Sequence, residues 1–189
     1  MASGTRRPAL TRALRPVGAC LLAAGVLSGC GAHPGVAAML TYTDGAGQRV
    51  SVTVDEQDVS DAVTDLSVLQ IDRRSAIIAM LNRPRLEEAL KGVGVEVSDA
   101  EVETFTKNTF DTVGKEVPSL SAGAREVMRA AALDSKQTEL DPELAQKVGE
   151  EMAAATQSAQ IEASPRYREK LWIANPAQLP AQQAPSQGR

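Results

Sequence analysis

Residues 74–102, RSAIIAMLNRPRLEEALKGVGVEVSDAEV, read as a helix, a short break and the start of a second helix, and the rest of the chain is expected to pack on them. Ile77, Ile78, Met80 and Leu81 make the first turns apolar nearly all round. That pattern belongs to a helix buried on several sides, a hub, rather than to one with a single stripe facing a core. Past Pro84 the apolar set narrows to Leu86, Ala89, Leu90 and Val93, while Arg85, Glu87, Glu88 and Lys91 are expected to keep their charges in water. Inside a helix Pro84 removes the hydrogen bond to the Met80 carbonyl and crowds that turn, at a cost of about 3 kcal/mol. It predicts a kink that lets the hub wrap its neighbours; a free carbonyl offered to a bound chain is the functional reading of the same residue. Gly92 and Gly94 end the helix, Val95 to Val97 cross in extended form, and Ser98 with Glu101 has the spacing of a capping box.

Working outward, residues 36–43 and 49–54 flank the turn-forming run Asp44-Gly-Ala-Gly-Gln48 and predict a β-hairpin. Val50, Val52 and Val54 share one face by the period of two and are expected to lie on the helices. A lone hairpin is marginal in water, so residues 160–164, ahead of Pro165, are the candidate third strand. Thr53 and Glu56 repeat the capping-box spacing before a first helix carrying Val59, Val63 and Leu66. The third helix carries Val102, Phe105, Thr109 and Val113 on one stripe, with Phe110 off it. Ser121 opens a fourth helix with Ala124, Val127, Met128 and Ala131 inward. Asp141-Pro142 opens a fifth, lined by Leu144, Val148, Met152, Ala155 and Ala159. The expected fold class is mainly α: about five helices with a small N-terminal β-hairpin, completed by a C-terminal third strand, over residues 36–173. Residues 174–189, rich in proline and glutamine and poor in apolar side chains, predict a disordered tail.

The amino-terminal residues 1–29 carry Arg6, Arg7, Arg12 and Arg15 with no acid, then an apolar run from Val17 to Leu27, then Leu27-Ser28-Gly29-Cys30. This is the pattern of a bacterial lipoprotein signal peptide, cleaved between Gly29 and Cys30. The apolar run is shorter than the roughly 20 residues a helix needs to span the hydrocarbon core. Pro8 after the Arg6-Arg7 pair favours the general secretory route over twin-arginine export. Cys30 is the expected lipid attachment site, because the thiolate is the strongest nucleophile among the side chains. Residues 30–35 then form a lipidated tether. Cys20 leaves with the signal and Cys30 is consumed by lipid, so the mature chain has no disulfide and must rest on its own core.

The full chain has 20 basic and 24 acidic residues, and the leader takes only basic ones, so the mature protein is acidic. With two Phe, two Tyr and one Trp, it lacks the basic surface and stacking aromatics that nucleic-acid binding draws on. Membrane attachment is left to the acyl chains of the diacylglyceryl cysteine, each buried CH₂ contributing about 0.8 kcal/mol. His33 is the sole histidine and sits in the tether, so neither a His or Cys metal site nor a Ser-His or Cys-His pair can be assembled. Glu87-Glu88, Glu150-Glu151 and Asp99-Glu101-Glu103 read as solvated rather than catalytic carboxylates. No catalytic residue, metal or cofactor is expected.

The segment LNRPRLEEALKGVGVEVSDAEV, residues 81–102, resembles the helix, Gly-hydrophobic-x-Val-Ser-Asp-x-Glu-Val and helix signature of the N-terminal chaperone domain of SurA, as found in short actinobacterial lipoproteins. HPGVAAML, residues 33–40, is similar to that family's opening strand. ASPRYREKLW, residues 163–172, is similar to its closing Asn-Pro-Arg-Tyr-Gly segment, with Ser164 for Asn and Arg168 for Gly. The resemblance implies a membrane-anchored, extracytoplasmic chaperone or holdase without enzymatic activity, whose partners are unfolded or partly folded exported proteins. It does not imply prolyl isomerase activity, since Arg189 ends the sequence too soon after Ser164 for a parvulin domain. A shallow apolar cleft offered by the hub and third helix would hold the client. The alternative is an adaptor lipoprotein that docks one specific envelope protein, the same fold serving as scaffold.

Overall fold

The computed structural model describes residues 34–167. The leader, the cleavage and lipid positions Gly29 and Cys30, His33, most of the tether, and the chain from Arg168 through the 174–189 tail lie outside the described residues. Strands β1 (Val36–Thr43) and β2 (Arg49–Asp55) open the fold, followed by helices α1 (Glu56–Asp65), α2 (Arg73–Gly92), α3 (Asp99–Thr112), α4 (Ala122–Thr138) and α5 (Pro142–Ser158), and strand β3 (Gln160–Ala163) closes it. The protein is mainly α with a small antiparallel sheet, as its sequence predicts.

The sheet has the order β2-β1-β3, so the first strand is the central one. Leu40 is the pivot of the register, opposite Val52 on one side and Ile161 on the other. The hairpin turn is closed by Asp44, whose carboxylate accepts the Gln48 amide at 2.7 Å, and Gly47 takes the positive φ of 78° that the turn requires. Val54 is buried and Val50 and Val52 pack partly against the core, on the face the alternation assigns to them.

Helix α2 is the hub. It touches α1, α4, α5 and both strands of the hairpin, and Ala76, Ile77, Met80 and Leu81 are buried along its first half. It runs unbroken through Pro84 to Gly92. Its start is capped by the Asp72 side chain, which accepts the Ser75 amide at 2.7 Å and is thereby held below the usual carboxylate range. Ser121 caps α4 and Asp141 caps α5. The predicted capping box at Ser98 and Glu101 is complete, with the serine oxygen accepting the Glu101 amide and the glutamate accepting the Ser98 amide.

Three expectations fail locally. Thr53 does not cap α1: β2 continues to Asp55, and Asp55 occupies the cap position without a side-chain bond. The Glu56 amide donates instead to the Gly35 carbonyl at 2.7 Å, and its carboxylate accepts the Tyr167 hydroxyl at 2.8 Å. On α3, Phe110 is core at 1% exposure and Val113 stands 43% exposed. The helix ends at Thr112, which leaves Val113 past the last turn; the buried positions are Thr106 and Phe110, four residues apart, while Val102 and Phe105 pack partly on the core as expected. Finally, Arg85 is buried at 6% exposure rather than solvated. It falls on the same row as Leu81 and Ala89, four residues to either side, so the packing that buries those residues buries it as well.

Candidate functional site: a groove between the third and fourth helices

α3 and α4 lie side by side, and the segment between them, residues 113–121, leaves an open groove of about 1220 Å³ along one side of the pair. Val102, Leu120 and Met128 give the groove apolar surface, and Val117 stands 40% exposed beside them. The positions follow from local structure. Gly114 ends α3 with a φ of 66°, Pro118 follows, and the Ser121 amide donates to Asp65 of α1 at 2.8 Å, which pins the start of α4. That bond also draws the Asp65 carboxyl below its usual range.

Charged side chains from α2, α3 and α4 also line the groove. Glu87 of α2 bonds Arg83 through one oxygen and Arg129 of α4 through the other, each at 2.7 Å. Arg129 also reaches Asp99 at the start of α3, at 2.8 Å, and the Val97 carbonyl at 3.1 Å, while Arg83 pairs with Glu126. Burial works to raise the Glu87 pKa, but the Arg129 hydrogen bond and the charges of Arg129 and Arg83 outweigh it and hold the carboxyl below the usual range. The Glu87 bond raises the Arg129 guanidinium in turn, against its own partial burial. Glu87 and Arg129 are both partly buried, so they are screened less than a fully exposed pair. They tie α2, α3 and α4 together beside the apolar surface.

Of the remaining carboxylates, Glu103, Asp111 and Glu116 also line the groove, whereas Glu88, Glu150 and Glu101 are engaged elsewhere. Glu88 accepts the Gly45 amide at 3.2 Å at the hairpin turn, Glu150 accepts from Gln146 at 2.8 Å, and Glu101 is spent on its cap. Among the described residues there is no group of three or more His, Cys, Asp and Glu that could hold a metal ion. Likewise no described helix is long and apolar enough to cross a membrane. The groove lies between α3 and α4, and the hub, expected to share a cleft with the third helix, contributes only Arg83 and Glu87 to it. Their surroundings in sequence do not mark Arg83 and Arg129. The signal for them is the pairing itself, Arg83 with Glu87 at i and i+4.

Compared with family models, curated proteins and solved structures, the chain gives no match.

Proposed function

We propose that this protein is a lipid-anchored, extracytoplasmic chaperone or holdase that binds unfolded segments of exported proteins without catalysing a reaction. The observation that carries the reading is the open groove between α3 and α4, where the apolar side chains of Val102, Val117 and Leu120 lie among charged ones such as Glu103, Lys107 and Arg129. A volume of about 1220 Å³ is on the scale of several side chains, and the apolar surface gives affinity by burial with little demand on sequence. The lipoprotein signal ending in Cys30 and the SurA-like signature over residues 81–102 support the same reading from the sequence side.

The test is suppression of aggregation of an unfolded secreted protein by the full chain in mild detergent, and by a Val117→Asp variant. Val117 is exposed and lines the groove, so the variant is expected to keep its unfolding midpoint and lose much of the suppression. Absence of suppression at several-fold molar excess of the unaltered protein sinks the proposal. Crosslinking in cells to a single dominant envelope protein, in place of many exported ones, replaces it with the adaptor reading.

A further inference from the structure

Arg73, Arg83 and Arg129 each face a carboxylate. Arg85 forms no ion pair among the described residues, although it is the most deeply buried of the four, at 6% exposure. One terminal nitrogen donates to the Thr156 hydroxyl at 3.3 Å and the other to the Asn82 side-chain oxygen. Its Nε is buried with no acceptor, and its guanidinium carbon stands 5.8 Å from the centroid of the Tyr42 ring. Burial pushes its pKa down, with Tyr42 acting weakly the other way. A buried cation without a counter-charge is costly, and a hydroxyl, an amide oxygen and a ring face supply only partial charges.

A cavity of about 230 Å³ opens beside this guanidinium, between the hairpin turn, α2 and α5, lined by Tyr42, Arg85, Glu88, Glu151 and Ser158 among others. Near Gly45 its lining carries the opposite imbalance. The Gly45 amide donates to Glu88 at 3.2 Å, and a methyl group placed on Gly45 would lie 3.1 Å from a Glu151 oxygen and 3.8 Å from a Glu88 oxygen. Two carboxylates therefore converge on one point of the turn, and neither forms an ion pair among the described residues. Like charges so close repel unless a cation sits between them. The Tyr42 phenol is held protonated by burial and by Glu88, which leaves it a hydrogen-bond donor.

A lone anion would meet the two glutamates and a lone cation would meet Arg85. We infer that the cavity binds a small zwitterion, an α-amino acid with a short side chain, its carboxylate toward Arg85 and Tyr42 and its ammonium between Glu88 and Glu151. One guanidinium balances one carboxylate, and the donor and acceptor ends of the cavity match the two ends of the ligand. The size agrees: the cavity falls below the about 300–1,000 Å³ of drug-sized sites. The binding site is separate from the groove between α3 and α4, and its existence does not depend on what that groove holds.

The experiment follows the cumulative heat of binding when the full chain in detergent is titrated with increasing L-alanine, with sodium acetate and ethylamine hydrochloride at matched ionic strength. The expected result is a saturable rise with alanine alone. Half-saturation should move to roughly tenfold higher alanine in Glu88→Gln and again in Glu151→Gln, a tenfold change in affinity corresponding to about 1.4 kcal/mol. Arg85→Met should abolish the rise; if that variant does not fold, the two glutamate variants decide. No saturable rise with alanine, an equal rise with acetate or ethylamine, or unchanged half-saturation in both glutamate variants overturns the proposal.

Discussion

The interior has two parts, and they are held together differently. The larger cluster contains Leu40, Tyr42, Val59, Leu66, Ile77, Phe110, Met128 and Tyr167 and includes the central strand. The smaller one, Leu86, Ala89, Leu90, Val97, Ala132, Leu133 and Val148, contains no strand residue. α2 and α4 supply both, and on α2 the change of partner falls between Leu81 and Leu86, where Pro84 stands. The first cluster is fixed by backbone pairing in the sheet and by polar anchors such as the Tyr167 bond to Glu56. In the second the buried members are Leu, Val and Ala alone, and it rests on packing between helices. A proline in mid-helix is thus placed where the buried face changes hands, at the boundary between a region specified by hydrogen bonds and one specified by volume.

The largest expected effect breaks the first region. Gly123 at the start of α4 meets the backbone of α1 so closely that a methyl group there would lie 2.2 Å from the Asp58 carbonyl oxygen. Neither backbone can yield as a side chain would. Gly123→Ala should lower stability by about 3 kcal/mol or more, measured by denaturant unfolding of the full chain; an unchanged midpoint would mean that the two helices are not so closely seated.

The next prediction tests the second region. Leu90, 1% exposed, should cost about 2–4 kcal/mol on truncation to Ala. Because that region lacks strand pairing, its loss should be local. In Leu90→Ala the Val148 amide is expected to exchange with solvent through a partial opening, while the Leu40 amide exchanges only on global unfolding. Equal acceleration at both sites would show that the two clusters are one cooperative unit.

The smallest effect concerns the ion pairs that line the groove. The Glu87 pKa is lower folded than unfolded, so its contribution is present above the unfolded value near 4.3 and is lost as pH falls through the folded value. Glu87→Gln should cost about 1 kcal/mol at neutral pH and flatten the acid limb of the stability profile. A variant whose acid limb matches that of the unaltered protein would remove Glu87 from the account of that limb.

Much of this architecture was legible in the chain. The hub's apolar first turns, the hairpin with its glycine-bearing turn, the caps at Ser98, Ser121 and Asp141 and the third strand before Pro165 are local signals, and each is found where it was read. What local reading missed depends on rotation and on distant partners. On α3 the stripe is right at Val102 and Phe105, which pack on the core, but too narrow to include Phe110, because only the neighbours of the helix decide how wide its buried face is. Residue type assigns Arg85 to water, whereas its place on the Leu81-Arg85-Ala89 row buries it. The groove itself was not legible as a position: its apolar surface joins Val102, Leu120 and Met128 from separate elements, and no single window of sequence contains them.

The strand order gives the protein a timetable. β1 lies in the middle of the sheet, yet its partner β3 is the last element described, and the Thr43 amide donates to the Ser158 hydroxyl across 115 residues of chain. A polypeptide that leaves a ribosome or a membrane pore amino end first exposes β1 at the beginning and β3 only at the end. The entropic cost of so long a closure grows slowly, by about 0.6 kcal/mol for each doubling of length, so the arrangement costs time more than stability. Until β3 arrives, the central strand keeps one edge open, a row of unpaired amides and carbonyls on which any other extended chain can pair.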